Sequence, residues 1–144
     1  MKQSAFYEPQ HDKADTVEFF ASADGHTPPH FHRCIELIYI SDGAVECEIG
    51  GVQFLAEKDD ITFTHKCAVH ELVPAPAYDD YVLIIGQSYS DDFSSIFQKR
   101  TLPAHLADSA FNRTLRPYFD ALGEACNRSG AGAELVQKGL VDVI

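Results

Sequence analysis

Basic residues are scarce in this chain. Lysine and arginine number 11 against 22 aspartates and glutamates, a formal net charge of −11 over 144 residues. A phosphate backbone is bound by Lys and Arg that displace its counterions, so this balance argues against nucleic-acid binding by the chain itself. Long apolar runs are also missing. The longest lies near Tyr81-Val82-Leu83-Ile84-Ile85-Gly86, far short of the roughly 20 residues that cross a bilayer, so no membrane role is expected. Cysteine is present but sparse: Cys34, Cys47, Cys67 and Cys126 form no CxxC pair and no dense framework, which argues against a disulfide scaffold. The opening Met1-Lys2-Gln3-Ser4 is not an apolar signal segment, and a reducing cytoplasm is the expected home. There is no internal repeat, no GxGxxG and no P-loop lysine, so Gly50-Gly51 reads as a turn and not a phosphate cradle.

What remains is the composition of a folded protein: 45% hydrophobic, 11% aromatic and 23% charged. At this length one domain can bury a core without disulfides or a structural metal. Residues 1–15 are polar and unpatterned and read as an arm or loop. A strand is expected over Thr16–Ala21, ending where Gly25 and the paired Pro28-Pro29 forbid regular structure. Further strands are expected at Cys34–Ser41, Ala44–Ile49, Val52–Ala56, Asp60–Thr64, His70–Val73 and Tyr81–Gly86, with Asp42-Gly43 and Gly50-Gly51 as hairpin turns. Many short strands without helical pattern predict an antiparallel barrel or sandwich over the first ninety residues. The period then changes. A short helix is expected over Asp91–Arg100 with Phe93, Ile96 and Phe97 on one face. A second should be capped by Thr114, with Pro117 in its first turn and the stripe Leu115, Tyr118, Phe119, Leu122, Cys126, ending at 127–130. A third should start near Ala133 with Val136, Leu140 and Val143 on one stripe and run to Ile144 without a stop signal.

The chemistry concentrates in Pro29-His30-Phe31-His32-Arg33-Cys34-Ile35-Glu36. On an extended strand alternate side chains share a face, so His30, His32 and Glu36 project together. His70 can lie across a barrel interior from them. Three imidazoles and a carboxylate form a mixed N/O set suited to Fe(II), Mn(II), Ni(II) or Zn(II), with positions left open for a ligand. Alternatively, the four bind an organic ligand, or one another, without metal. His65 reads as a surface loop residue more than a fifth participant. His11, His26 and His105 read as solvent-facing, Cys47 as core, Cys67 as a loop thiol near the pocket mouth, and Asp79-Asp80 and Asp91-Asp92 as solvated turn and helix-start positions.

The spacing His30-x-His32-x3-Glu36-x6-Gly43 is similar to the first signature of the cupin superfamily, and Asp60 through His70 resembles the second. Asp59 stands where that family usually has Gly, and His65 and Cys67 replace its Pro-x-Gly turn. The resemblance implies a double-stranded β-helix, a jelly-roll barrel with an interior pocket, mainly β and followed by C-terminal helices. More narrowly, His32–Gly43, Asp60-Ile61-Thr62-Phe63 and Val69-His70-Glu71-Leu72 resemble the sensing domains of AraC-type transcription regulators. That resemblance implies an arm over 1–15, a barrel over 16–90 and a helical dimerisation tail over 91–144. A small-molecule effector, a sugar or other small polar metabolite, would bind inside the barrel at His30, His32, Glu36 and His70. The protein would be a homodimer, and DNA would be bound only through a C-terminal domain with two helix-turn-helix motifs. Nothing here matches that domain, and the end at Ile144 within a helical run is expected to precede it. The alternatives are a small metal-dependent cupin enzyme of oxygenase or isomerase type, and a plain binding cupin.

Overall fold

The computed structural model describes residues 4–12, 16–86, 89 and 102–144. The helix expected over Asp91–Arg100 lies outside them. In chain order the elements are β1 (Phe6–Tyr7), a 3-10 turn (Pro9–His11), β2 (Val17–Ala23), β3 (Thr27–Phe31), β4 (Ile35–Ile49), β5 (Val52–Glu57), β6 (Ile61–Thr64), β7 (His70–Ile85), β8 (His105–Leu106), α1 (Ser109–Cys126) and α2 (Ala131–Val143). The strands join in one sheet of order β1-β3-β7-β4-β6-β8, with β2 also paired to β7 and β5 to β4.

The backbone of the barrel is a long antiparallel ribbon. β4 and β7 pair from Ile35↔Ile85 at one end to Ile49↔His70 at the other, with register shifts between Ile40 and Asp42 and between Gly43 and Val45. Two expected interruptions are therefore folds in continuous strands: Asp42-Gly43 is no hairpin turn, and the interval between Val73 and Tyr81 is no loop. The left-handed angle at Gly43 (φ 73°) serves a bulge as well as a turn, and the partner strand running beside it decides which forms. Gly50-Gly51 does turn the β4–β5 hairpin, as Ile49↔Val52 pairing requires. Pro28 and Pro29, expected to forbid regular structure, instead sit inside β3. They fall in a register shift between Thr27 and His30, where no ladder hydrogen bond is asked of their missing N–H groups.

Alternation along the ribbon produces two cores. Cys34, Ile38, Ile40, Val45, Cys47, Ile49, Leu72, Tyr78, Val82 and Ile84 fill the barrel interior. Ile35, Tyr39, Ile61, Phe63, Leu83 and Ile85 face outward and are covered by Phe119, Leu122 and Val141 from the helices. The Leu115–Leu122 stripe thus packs on the barrel through Phe119 and Leu122, both fully buried. α1 begins earlier than expected. Asp108 caps it by accepting from the Phe111 amide at 3.1 Å, while Thr114 lies inside and returns its hydroxyl to the Phe111 carbonyl at 2.6 Å. Pro117 consequently sits in the helix interior, a cost of about 3 kcal/mol that burial of Phe119 and Leu122 opposes. On α2 the buried residue is Val141, and Val136 and Val143 are exposed. No helix among the described residues is long and apolar enough to cross a membrane.

Gly43 is the tightest point of the ribbon. A Cβ placed there would lie 2.1 Å from the Ala77 carbonyl oxygen and 2.8 Å from the Tyr78 Cα, whereas one placed on Gly51 (φ 81°) meets nothing. Gly51→Ala is expected to cost roughly 1–2 kcal/mol for the left-handed angle alone. Gly43→Ala is expected to exceed it by about 1–3 kcal/mol for the added clash, compared by urea unfolding of both variants.

Candidate functional site

Folding the ribbon at Gly43 gathers the sequence-selected residues. His30, next to last in β3, is the register partner of His70 at the start of β7. Their rings lie 3.9 Å apart between centroids. His70 is therefore beside His30 on the next strand, and it meets Glu36 from the far end of the ribbon, with Nε2 3.4 Å from Oε1. His32 lies in the bend between β3 and β4 and not on a continuous strand, yet its Nε2 is 3.4 Å from the other Glu36 oxygen. One ring nitrogen from each of His30, His32 and His70 falls within 4.8 Å of the others. All four side chains are buried, His70 completely.

The tautomers follow from the outer contacts. Nδ1 of His30, His32 and His70 faces the carbonyl oxygen of Pro28 (3.0 Å), Cys34 (3.2 Å) and Ala68 (3.1 Å), respectively. A carbonyl only accepts, so each Nδ1 carries hydrogen; each Nε2 turns inward, toward Glu36 for His32 and His70 and toward Glu8 for His30, as a donor to the carboxylate in a protonated ring and as a lone pair open to a metal in a neutral one. The buried Nε2 of His70 makes no hydrogen bond of good geometry. Three convergent lone pairs, one of them orphaned, fit a metal ion, and the carbonyl contacts are the orienting shell such ligands use.

Electrostatics sort the group. Burial alone would raise the Glu36 carboxyl, but His32 and His70 outweigh it and hold Glu36 well below the ordinary carboxylate range. Burial presses His70 down and Glu36 more than reverses it, so His70 is raised; His30 is lowered by burial and by the neighbouring His70 charge. Burial pushes the Cys34 and Cys47 thiols up to about 12, which leaves them as packing residues.

The loop before His70 has Asp59 and Cys67 where the second motif would have glycine. Asp59 and Cys67 both adopt left-handed angles, φ 70° and 61°. Asp59 accepts from the Tyr39 hydroxyl at 2.5 Å, and the Cys67 amide donates to the His32 carbonyl at 2.8 Å. Cys67 itself is exposed. His65, half-buried, contacts the Leu102 carbonyl at 3.3 Å, outside the histidine group.

Beside the histidines the barrel encloses a cavity of about 200 Å³, lined among others by Glu8, His30, Glu36, Tyr78 and Asp80. Three of its features escaped sequence reading. The segment read as an arm or loop is pinned: β1 pairs with β3, Glu8 lies 3.2 Å from His30 Nε2, and the Arg33 amide donates to Asp12 at 2.7 Å. His11 is not solvent-facing, because it contacts Glu18 at 2.9 Å and its ring stands edge-on to His32. Asp80 is no solvated turn residue, being 3% exposed inside the barrel; the alternation Tyr78, Asp80, Val82, Ile84 was its one available signal. His105, also expected in solvent, is stacked on Phe54 and contacts Asp60 at 2.7 Å, away from this site. His26 is exposed as expected. Thr62 and Thr64, register partners of Ile38 and Glu36, are fully buried with hydroxyls that meet no partner.

Among solved structures the chain is similar to a conserved protein of unknown function from Streptococcus pyogenes (10% identity, 51% of this chain and 68% of that one, TM-score 0.48). It is also similar to an RmlC-like cupin family protein with a double-stranded β-helix fold from Methanocaldococcus jannaschii (10% identity, 52% and 76%, TM-score 0.45). A third is the polyketide cyclase RemF from Streptomyces resistomycificus (25% identity, 51% and 57%, TM-score 0.43). No curated protein matches. The family of AraC-like ligand binding domains matches residues 16–140. With nearly all of its barrel, the first C-terminal helix and most of the second inside that match, the chain belongs to the AraC-like ligand binding domain family, built on a cupin-type barrel.

Proposed function

We propose that this chain is the effector-sensing domain of an AraC-type transcription regulator. The observation that carries the proposal is the interior cavity of about 200 Å³ whose wall includes His30, Glu36 and, from the arm, Glu8. A small polar metabolite such as a sugar enters it and contacts the wall. Occupancy then changes how Glu8 and the rest of the arm sit against His30, because a ligand shifts an equilibrium only as far as it binds the two arrangements differently. DNA is bound by a separate domain, in keeping with the acidic charge of this one. A homodimer is formed by the outer faces of α1 and α2, where Phe111, Tyr118, Leu135, Val136 and Val143 are exposed.

A divalent transition metal, Zn, Ni, Mn or Fe, would be held by His30, His32 and His70 with Glu36 against two of them, and would supply Lewis acidity to a ligand in the barrel. The same three lone pairs favour the second reading, a small metal-dependent cupin enzyme. The two are separated by a thermal-shift screen of small polar metabolites. An effector at a hundredfold excess over its Kd should raise the unfolding midpoint by roughly 5 to 10 °C, lose that effect in His30→Ala and be recovered unchanged. A compound that is consumed makes the protein an enzyme, and no stabilising compound removes the sensor reading.

Protein purified without an affinity-metal column is expected to hold about one transition-metal ion per chain by elemental analysis, lost in His32→Ala. Substoichiometric metal that is indifferent to His32→Ala would sink the metal assignment.

In metal-free protein the pair Glu36–His70 gives a pH signature. Glu36, lowered from 4.5, stabilises the fold above that pH, and the gain is lost as pH falls toward its folded value. His70, raised from 6.5, stabilises below that pH, and the gain is lost as pH rises through its folded value. The stability difference between wild type and Glu36→Gln is therefore expected to peak between pH 4.5 and 6.5 and to shrink on either side, measured by denaturant unfolding.

A further inference from the structure

Asp80 is a buried carboxylate that the histidine site does not use. It lies four residues along β7 from Ile84, the register partner of Glu36, or about 13 Å at roughly 3.3 Å per residue. Its near neighbours are Ser22, directly opposite on β2, and Tyr78 on the same face; all three line the cavity. The Ser22 hydroxyl donates to Asp80 at 2.5 Å, and the Tyr78 hydroxyl donates to the Gly25 carbonyl at 2.7 Å. Both hydrogens are committed. What this end offers a ligand is acceptor capacity: the Asp80 oxygens and the Tyr78 oxygen. Among the described residues, no lysine or arginine lines the cavity, and no cation is paired with Asp80.

Resting on the reading that the barrel holds a small ligand, we infer that this ligand carries a cationic primary amine, seated on Asp80 with Ser22 and Tyr78. A buried carboxylate without a cation is costly, and an alkylammonium brings the missing charge together with three donors. A hydroxyl brings one donor and no charge, and a carboxylate would meet Asp80 as a like charge. Burial raises the Asp80 carboxyl above its ordinary range, as expected of an acid that awaits a counterion. The volume, about 200 Å³, restricts the ligand to a small molecule: at roughly 30 Å³ per water it equals six or seven waters.

The test is calorimetric titration of the full chain with twins that differ in one group: 3-amino-1,2-propanediol against glycerol and glycerate, and glucosamine against glucose. At least one amine should bind about tenfold or more tightly than its hydroxyl twin, the margin of a charge-assisted hydrogen bond. In Asp80→Asn that preference should collapse toward unity while the metal content of the histidine site is unchanged. Hydroxyl twins that bind equally or more tightly, tighter binding of glycerate, or no binding of either amine overturns the assignment. So does an amine preference that survives in Asp80→Asn. The wild-type ratios decide the matter even if that variant does not fold. The effector reading falls separately, only when no compound of the wider metabolite screen binds.

Discussion

Gly43 and the Ala77 carbonyl come so close that no side chain fits between them. That contact is where the β4–β7 ribbon doubles over, and the interior of the barrel depends on it. Glu36 lies seven residues before the fold on β4, and His70 begins the partner strand. Along the sheet they are remote, since Glu36 is paired with Ile84 and His70 with Ile49. Only the doubling brings the carboxylate within 3.4 Å of the imidazole. The same fold separates the ribbon's two faces into a barrel interior and an outer surface for the helices, so site and core share one cause.

The histidine group is held by backbone. Each ring gives its Nδ1 hydrogen to a carbonyl two residues away in sequence, which fixes tautomer and orientation before any ligand arrives. The loop leading to His70 is held in the same way: the left-handed turn at Cys67 is anchored by its amide on the His32 carbonyl. At Asp59, hydrogen bonding to Tyr39 supports an angle that Asp tolerates better than most residues.

The arm and the cavity complete the picture. Phe6 stacks over His30, Glu8 approaches its Nε2, and the Cys34 thiol donates to the His11 carbonyl at 2.8 Å. An N-terminal segment without internal periodicity is ordered by the site it borders. Within the barrel, two buried acids, Glu36 and Asp80, line the cavity. Glu36 is matched by imidazoles, whereas Asp80 is matched only by a hydroxyl and backbone. That asymmetry leaves the two acids in different chemical settings.

The sequence by itself determined what is local. Alternation set the inward face of His30 and Glu36, the apolar positions of both cores and the all-β character of the first ninety residues; glycine marked Gly43 and Gly50-Gly51 as places of unusual backbone. Whether such a place became a hairpin or a fold was decided by the strand beside it, which is why Asp42-Gly43 misled and Gly50-Gly51 did not. Tertiary structure alone decided the pairing of His70 with His30, the approach of Glu8 and the burial of Asp80 within a run that reads as a turn. It also moved the α1 cap to Asp108, and it settled that Phe119 and Leu122 face the barrel. These are contacts between segments far apart in the chain, and a periodicity of two or 3.6 residues states which face a side chain takes without stating what that face will meet.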